Sequence, residues 1–197
     1  MTAIVDYKAG NLTSVKNAFA ALGAETVVTD DPALVASADR VVFPGVGAAR
    51  SAMENLRRLG LDSAVRSAAA SGKPFLGICL GMQILFGRSE EDGGVETLGV
   101  LSGAVKRFPQ VPGFKVPEIG WNQVRAVDPV ASAWEGREFY FVHSYCAELV
   151  PETALTTEYA GVTFTAMVRR GRLWACQFHP EKSGRIGLEL LKEWLAC

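Results

Sequence analysis

The N-terminal half of the chain alternates short apolar runs with amphipathic stretches. Residues 3–6, 26–29, 40–43 and 74–78 read as strands, being brief, apolar and bounded by turn formers. Between them, apolar positions recur at helical spacing. Asn11 is a suitable N-cap for a helix through Leu22, with Gly23 as its stop. Asp31-Pro32 opens a short helix, because proline is tolerated in a first turn. Residues 50–59, 61–71 and 80–86 are further helical stretches. Repeated strand–helix alternation predicts a parallel sheet covered on both faces.

The second half changes character. Residues 98–108, 121–127, 139–146, 163–169 and 173–178 read as strands with few helices between them. Arg170-Gly171 sits where a tight hairpin turn belongs. An amphipathic helix starts at about Ser183, with Ile186, Leu190, Leu191, Trp194 and Leu195 on one stripe. The expected fold class is α/β: a doubly wound, mostly parallel central sheet with helices on both faces and an antiparallel extension in the C-terminal half. Residues 89–94 form the most polar short loop but not a domain boundary, so one domain is expected over 1–197.

Composition narrows the function classes. With 49% hydrophobic and 21% charged residues, a chain of 197 residues can bury a core without metal or disulfide staples. Twenty basic against twenty-one acidic residues argues against a nucleic-acid footprint and against a polybasic membrane surface. The uncharged run between Lys73 and Arg88 is too short and too broken to span a bilayer. An acidic residue, Asp6, comes too early for a signal peptide. Cys79, Cys146, Cys176 and Cys197 form no CxxC pair, and with two histidines a zinc site is not expected. Free thiols in a cytoplasmic protein, with neither metal nor cofactor, are the expectation.

The strongest local signal is Gly77-Ile78-Cys79-Leu80-Gly81. An apolar strand ends and a helix begins one residue later, with glycines at i−2 and i+2 of the cysteine. This is the nucleophile-elbow pattern with sulfur in place of a serine oxygen. The missing Cβ atoms let neighbouring backbone approach, and the helix N-terminus offers free N–H groups and partial positive charge. Both favour thiolate, the reactive form. A free thiol with a pKa of about 8.5 is only roughly 3% ionised at pH 7. Making thiolate the major form takes about 2.7 kcal/mol, and a helix terminus supplies at most about 2 kcal/mol. A base is needed as well.

Two histidines can supply it. His179 follows an apolar strand in Phe178-His179-Pro180-Glu181. Pro180 pushes His179 towards an extended conformation, so His179 and Glu181, two residues apart, project to the same side. A carboxylate beside an imidazole orients the ring and stabilises its charge, as in a Cys–His–Glu triad. His143, in an alternating strand, is the rival base or a hydrogen-bonded structural histidine. Acyl transfer also needs oxyanion donors. The Leu80 N–H is the first candidate. The Pro44-Gly45-Val46-Gly47 loop, through Val46 and Gly47, is the second, since its glycines permit a peptide flip.

Together these motifs resemble the triad-type, class I glutamine amidotransferases. Asp6 to Val15, Pro44 to Gly47, Gly77 to Glu91, Gly120-Trp121-Asn122, Phe139 to Tyr145 and His179-Pro180-Glu181-Lys182-Ser183 are similar, in order, to the glutaminase subunits of imidazole glycerol phosphate synthase. The resemblance implies that Cys79 attacks the side-chain amide of glutamine, His179 is the acid/base and Glu181 orients it. It implies a γ-glutamyl thioester, and a glutamine head group held by Gln83, Glu91 and Ser144. It also implies a heterodimer in histidine biosynthesis, in which ammonia passes to a (β/α)8-barrel cyclase. Asn11, Trp121, Asn122 and Lys182 match positions at or near that interface. Two positions depart from the pattern: Glu118, where the family usually has histidine, and Lys8, where glycine is more usual. Two alternatives stand beside this reading. One is the glutaminase of pyridoxal phosphate synthase, whose elbow usually carries Cys-Ala-Gly rather than Cys79-Leu80-Gly81-Met82-Gln83. The other is a non-catalytic regulatory subunit of the same fold, against which the complete Cys79, His179 and Glu181 set argues.

Overall fold

The computed structural model describes residues 1–9 and 12–197, so Asn11, as helix cap and as interface residue, lies outside the described residues. The strands are β1 (Thr2–Val5), β2 (Thr26–Thr29), β3 (Arg40–Gly45), β4 (Phe75–Cys79), β5 (Arg88–Ser89), β6 (Val95–Glu96) and β7 (Ala104–Arg107). They continue as β8 (Glu118–Gln123), β9 (Arg125–Ala126), β10 (Glu138–His143), β11 (Tyr145–Ala147), β12 (Thr153–Tyr159), β13 (Val162–Arg170) and β14 (Leu173–Cys176). The helices are α1 (Leu12–Ala21), α2 (Pro32–Ser37), α3 (Ala49–Arg58), α4 (Leu61–Ala70), α5 (Leu80–Gln83) and α6 (Gly184–Leu195).

The main sheet runs β2-β1-β3-β4-β14-β13-β11-β7-β5-β6, and β12 and β9 branch from β13. Its first five strands are parallel. Beyond β14 the pairing becomes antiparallel through β13, β11 and β7. A separate antiparallel ribbon pairs β8 with β10. This is the α/β architecture read from the sequence, with its antiparallel extension in the second half.

Burial explains the parallel half. Alternate side chains of one strand enter opposite cores: Ala3 and Val5 of β1 join Val41, Phe43 and Phe75 on one face, beneath α2, α3 and α4. Ile4 joins Val42, Leu76 and Ile78 on the other, beneath α1 and α6. Each large side chain so buried contributes about 1.5–3 kcal/mol, which is why these strands read as unbroken apolar runs rather than alternating ones. The α6 stripe packs as expected: Leu190, Leu191 and Trp194 are buried, and Trp194 meets Phe19 of α1 edge-on at 5.7 Å.

Several boundaries differ from expectation, each for a local reason. The expected strand over 98–108 is reduced to β7, because Gly99 and Gly103 adopt φ of 63° and 87°, which turn the chain. The strand over 139–146 breaks at Ser144 into β10 and β11, which join different sheets. The helix over 80–86 stops at Gln83, and Leu85 and Phe86 continue as i→i−3 turns. Strand β12 had no counterpart in the sequence reading; its run Thr153–Tyr159 mixes polar and apolar residues. Among the described residues no helix is long and apolar enough to cross a membrane.

Close approach, rather than turn-making, accounts for the glycines of the elbow. A Cβ on Gly81 would lie 1.8 Å from the Phe43 carbonyl oxygen, and one on Gly77 would lie 3.0 Å from the Ala175 Cβ. Helix α5 therefore sits directly on β3. Gly81→Ala is expected to cost about 3 kcal/mol in urea unfolding, because backbone rather than a flexible side chain must move. A loss below about 1 kcal/mol would show that α5 has room to shift.

Candidate active site

Parallel pairing builds the site. In the β14–β4 ladder Cys176 is level with Ile78, and in the β3–β4 ladder Gly45 is level with Cys79. The carboxyl ends of three adjacent strands thus deliver Cys79, the Gly45-Val46-Gly47 loop and the segment leading to His179 to one edge. Cys79 has φ 54° and ψ −113°, a backbone conformation that costs a non-glycine residue about 1–3 kcal/mol. The strand-to-helix turn compels it, and it aims the side chain above the sheet.

Cys79 is 6% exposed. The Cys79 thiol faces the Val142 carbonyl at 4.0 Å. The Gln177 side-chain amide donates to the Cys79 sulfur at 3.7 Å. The His179 Nδ1 meets Glu181 Oε1 at 2.7 Å, with both side chains nearly buried. His179 Nε2 is buried and makes no well-aligned hydrogen bond, yet Cys79 is near enough to favour the charged ring. Burial opposes that charge, but Cys79 and Glu181 outweigh it and push the His179 imidazole up to about 10. Cys79, His179 and Glu181 are therefore brought together. His143 is not part of that group: its Nδ1 donates to the Tyr145 carbonyl at 2.7 Å and its Nε2 contacts Glu118 Oε2 at 3.1 Å.

A cleft of about 370 Å³ opens beside Cys79. Val46, Gly47, Leu80, Gln83, Glu91 and Ser144 all line it, as does Lys182 at its mouth. Glu91 reaches it because its Oε2 accepts from the Ala49 N–H at 2.6 Å, tying the loop to the start of α3. Burial raises the Glu91 carboxyl above its ordinary value, and the Ala49 N–H opposes that rise. Gln83 is buried and donates to the Tyr145 carbonyl and to Gln177 Oε1, both at 2.8 Å. Gly47 has φ 95°, and Gly45 lies under the Tyr7 ring, where a Cβ would come within 1.9 Å of the hydroxyl.

Trp121 and Asn122 lie outside the cleft, on the β8–β10 ribbon. Trp121 is 55% exposed and packs edge-on against Tyr140 at 6.2 Å. The Asn122 amide turns inward, donating to Glu118 Oε1 and the Glu158 carbonyl at 2.9 Å each. Glu118 is buried, with Asn122 and His143 as partners. Lys8 adopts φ 64°, a left-handed conformation that favours glycine, and its ammonium reaches Asp6 and Asp30.

Sequence reasoning missed Gln177 and Tyr7. The signal for Gln177 was available: it sits two residues before His179, so the alternation that pairs His179 with Glu181 puts it on the same side. Tyr7 reaches the loop through the β1–β3 pairing, which no local motif encodes.

The chain resembles known proteins over its whole length. The family model described as glutamine amidotransferase class-I matches residues 3–196. The imidazole glycerol phosphate synthase subunit HisH of Acinetobacter baylyi is 47% identical, with 98% of this chain and 96% of that protein covered. The same subunit of Symbiobacterium thermophilum is 51% identical over 97% of this chain and 91% of its own. A solved glutamine amidotransferase superposes with a TM-score of 0.76 at 19% identity, covering 100% of this chain and 99% of the other, which speaks for the fold.

The His179 shift has a testable sign. Its folded value lies above the ordinary 6.5, so its proton stabilises the fold in full below 6.5. That contribution fades as pH rises to about 10. Nitrogen NMR titration is expected to find the ring charged well above 6.5, with the midpoint dropping in Cys79→Ala and in Glu181→Gln. A wild-type midpoint at or below 6.5 would contradict the arrangement.

Proposed function

The chain belongs to the class-I glutamine amidotransferase family, among the glutaminase subunits of imidazole glycerol phosphate synthase, and we propose that it hydrolyses glutamine with a Cys79–His179–Glu181 triad. The observation that carries this reading is the β4–β14 ladder, which sets a strained Cys79 beside an imidazole already paired to a carboxylate.

Each group has a task its environment suits. His179 already holds the proton that Cys79 has given up, and the sulfur, as thiolate, attacks the side-chain carbonyl carbon of glutamine. The carbonyl oxygen becomes an oxyanion, held by the Leu80 N–H at the start of α5 and by an N–H of Val46 or Gly47. His179 then gives its proton to the departing nitrogen, releasing ammonia and leaving a γ-glutamyl thioester. A water molecule, deprotonated by His179, attacks the thioester; the carbon–sulfur bond breaks and glutamate leaves. Glu181 keeps Nδ1 protonated and aims Nε2 throughout. Gln83, Glu91 and Ser144 hold the amino-acid head group, with the Glu91 carboxylate suited to an ammonium. No cofactor is required.

The ammonia is delivered to a (β/α)8-barrel cyclase in a cytoplasmic heterodimer that serves histidine biosynthesis. The β8–β10 ribbon is the proposed contact, with Trp121 presenting apolar area and Ile119 64% exposed beside it. Asn122 shapes the ribbon from within, Lys182 stands at the rim of the cleft, and Asn11 is assigned to the same interface. One domain over 1–197 carries all of this.

Cys79→Ala is expected to bring glutamine hydrolysis to background in the complex; retained activity would remove Cys79 from the mechanism. The isolated chain is expected to hydrolyse glutamine weakly, on the reading that, as in the family, the loop holding Val46 and Gly47 rearranges to complete the oxyanion site. Losing one such donor costs about 10²–10³ in rate, so adding a cyclase and its ligand should restore about that factor in glutamate formation. Full turnover without a partner would contradict the coupling.

A further inference from the structure

One backbone carbonyl dictates how two buried amides face. The Tyr145 carbonyl can only accept, and Gln83 Nε2 lies 2.8 Å from it. Gln83 therefore presents its NH2 to that carbonyl. The same NH2 donates to Gln177 Oε1 at 2.8 Å. Gln177 is left with its own NH2 directed at the Cys79 sulfur, 3.7 Å away. Turning the Gln177 amide over would set two donors against each other and leave buried groups unpaired, at about 1–3 kcal/mol each. Gln177 is completely buried, so no water relieves that cost. His143 also donates to the Tyr145 carbonyl, and Glu118 backs His143, so the anchor is held from the β8–β10 side as well.

We infer that Gln177 is a further residue of the reacting centre, whose amide N–H holds the negative charge on the Cys79 sulfur. The inference rests on the reading of Cys79 as nucleophile. A thiolate is a far better acceptor than a thiol, so a fixed donor favours the charged form. The same donor serves twice. It supports the sulfur before attack, and it supports the thiolate again when the thioester carbon–sulfur bond breaks and its electron pair returns to sulfur. A consequence concerns Gln83. With its NH2 engaged by Tyr145 and Gln177, it offers the cleft only its Oε1, an acceptor for an N–H of the substrate.

The test is the pH dependence of Cys79 alkylation by iodoacetamide, in the full chain without glutamine, followed on the Cys79 peptide by mass spectrometry. Gln177→Met keeps the length and removes the donor; Gln177→Glu keeps the shape and replaces the amide by a carboxylate. Both profiles are expected to move to higher pH, with alkylation near neutrality about tenfold slower in Gln177→Met. Thermal unfolding identifies a variant that does not fold, and the other then decides. A folded variant whose profile overlays the wild type overturns the inference, because a merely structural role would leave the profile in place. Cys79→Ala in the glutaminase assay of the complex separates the two claims. Surviving activity there defeats the nucleophile reading, whereas loss of activity with an unmoved Gln177→Met profile defeats only the role of Gln177.

Discussion

The molecule depends on the parallel pairing of β4 with β14. These strands are far apart in the chain, and Gln177 and Cys79 lie 98 positions apart. Closing so long a loop costs entropy, yet the cost grows only slowly with length, and buried strand residues on both faces offset it. Gly77 lies against Ala175, so the two strands meet with almost no side-chain bulk between them. From that register the rest follows. Cys79 ends one strand, His179 lies three residues past the end of the other, and Gly45 stands level with the cysteine on the far side.

Backbone strain falls on the assigned nucleophile. Cys79 carries a positive φ because the chain must pass from strand to helix in one step. Gly77 and Gly81 absorb the crowding that such a turn creates. The other cysteines occupy different environments. Burial pushes the Cys146 thiol up to about 12, and burial raises Cys176 and Cys197 as well, so all three are held as neutral thiols. Desolvation is the largest cause in each case. Position relative to the sheet edge, rather than residue type, separates the assigned nucleophile from its neighbours.

Local physics is legible in the sequence wherever a single element holds the information. The elbow, the His179–Glu181 spacing, the helix opening at Asp31-Pro32 and the amphipathic α6 each sit within a few residues. Elements shaped by distant partners were not legible. The break at Ser144 arises because β10 pairs with β8 while β11 pairs with β7. Strand β12 is held by β13 and β9 despite a mixed composition. The side that Gln177 faces follows from its alternation with His179, but its partner Gln83 comes from far along the chain, and Asn122 combines Glu118 of its own strand with the Glu158 carbonyl of β12. Glu118 is the sharpest case: a carboxylate in a ribbon reads as solvated, yet His143 and Asn122 make its burial tolerable.

Covalent capture tests the central claim most directly. A glutamine analogue bearing an electrophile at the γ-carbon, incubated with the chain and its cyclase partner, is expected to leave one adduct, on Cys79. Replacing His179 by asparagine should suppress it. An adduct on Cys146, Cys176 or Cys197 instead, or undiminished labelling of Cys79 without the imidazole, would contradict the proposal that β4 and β14 meet to make a nucleophile and its base.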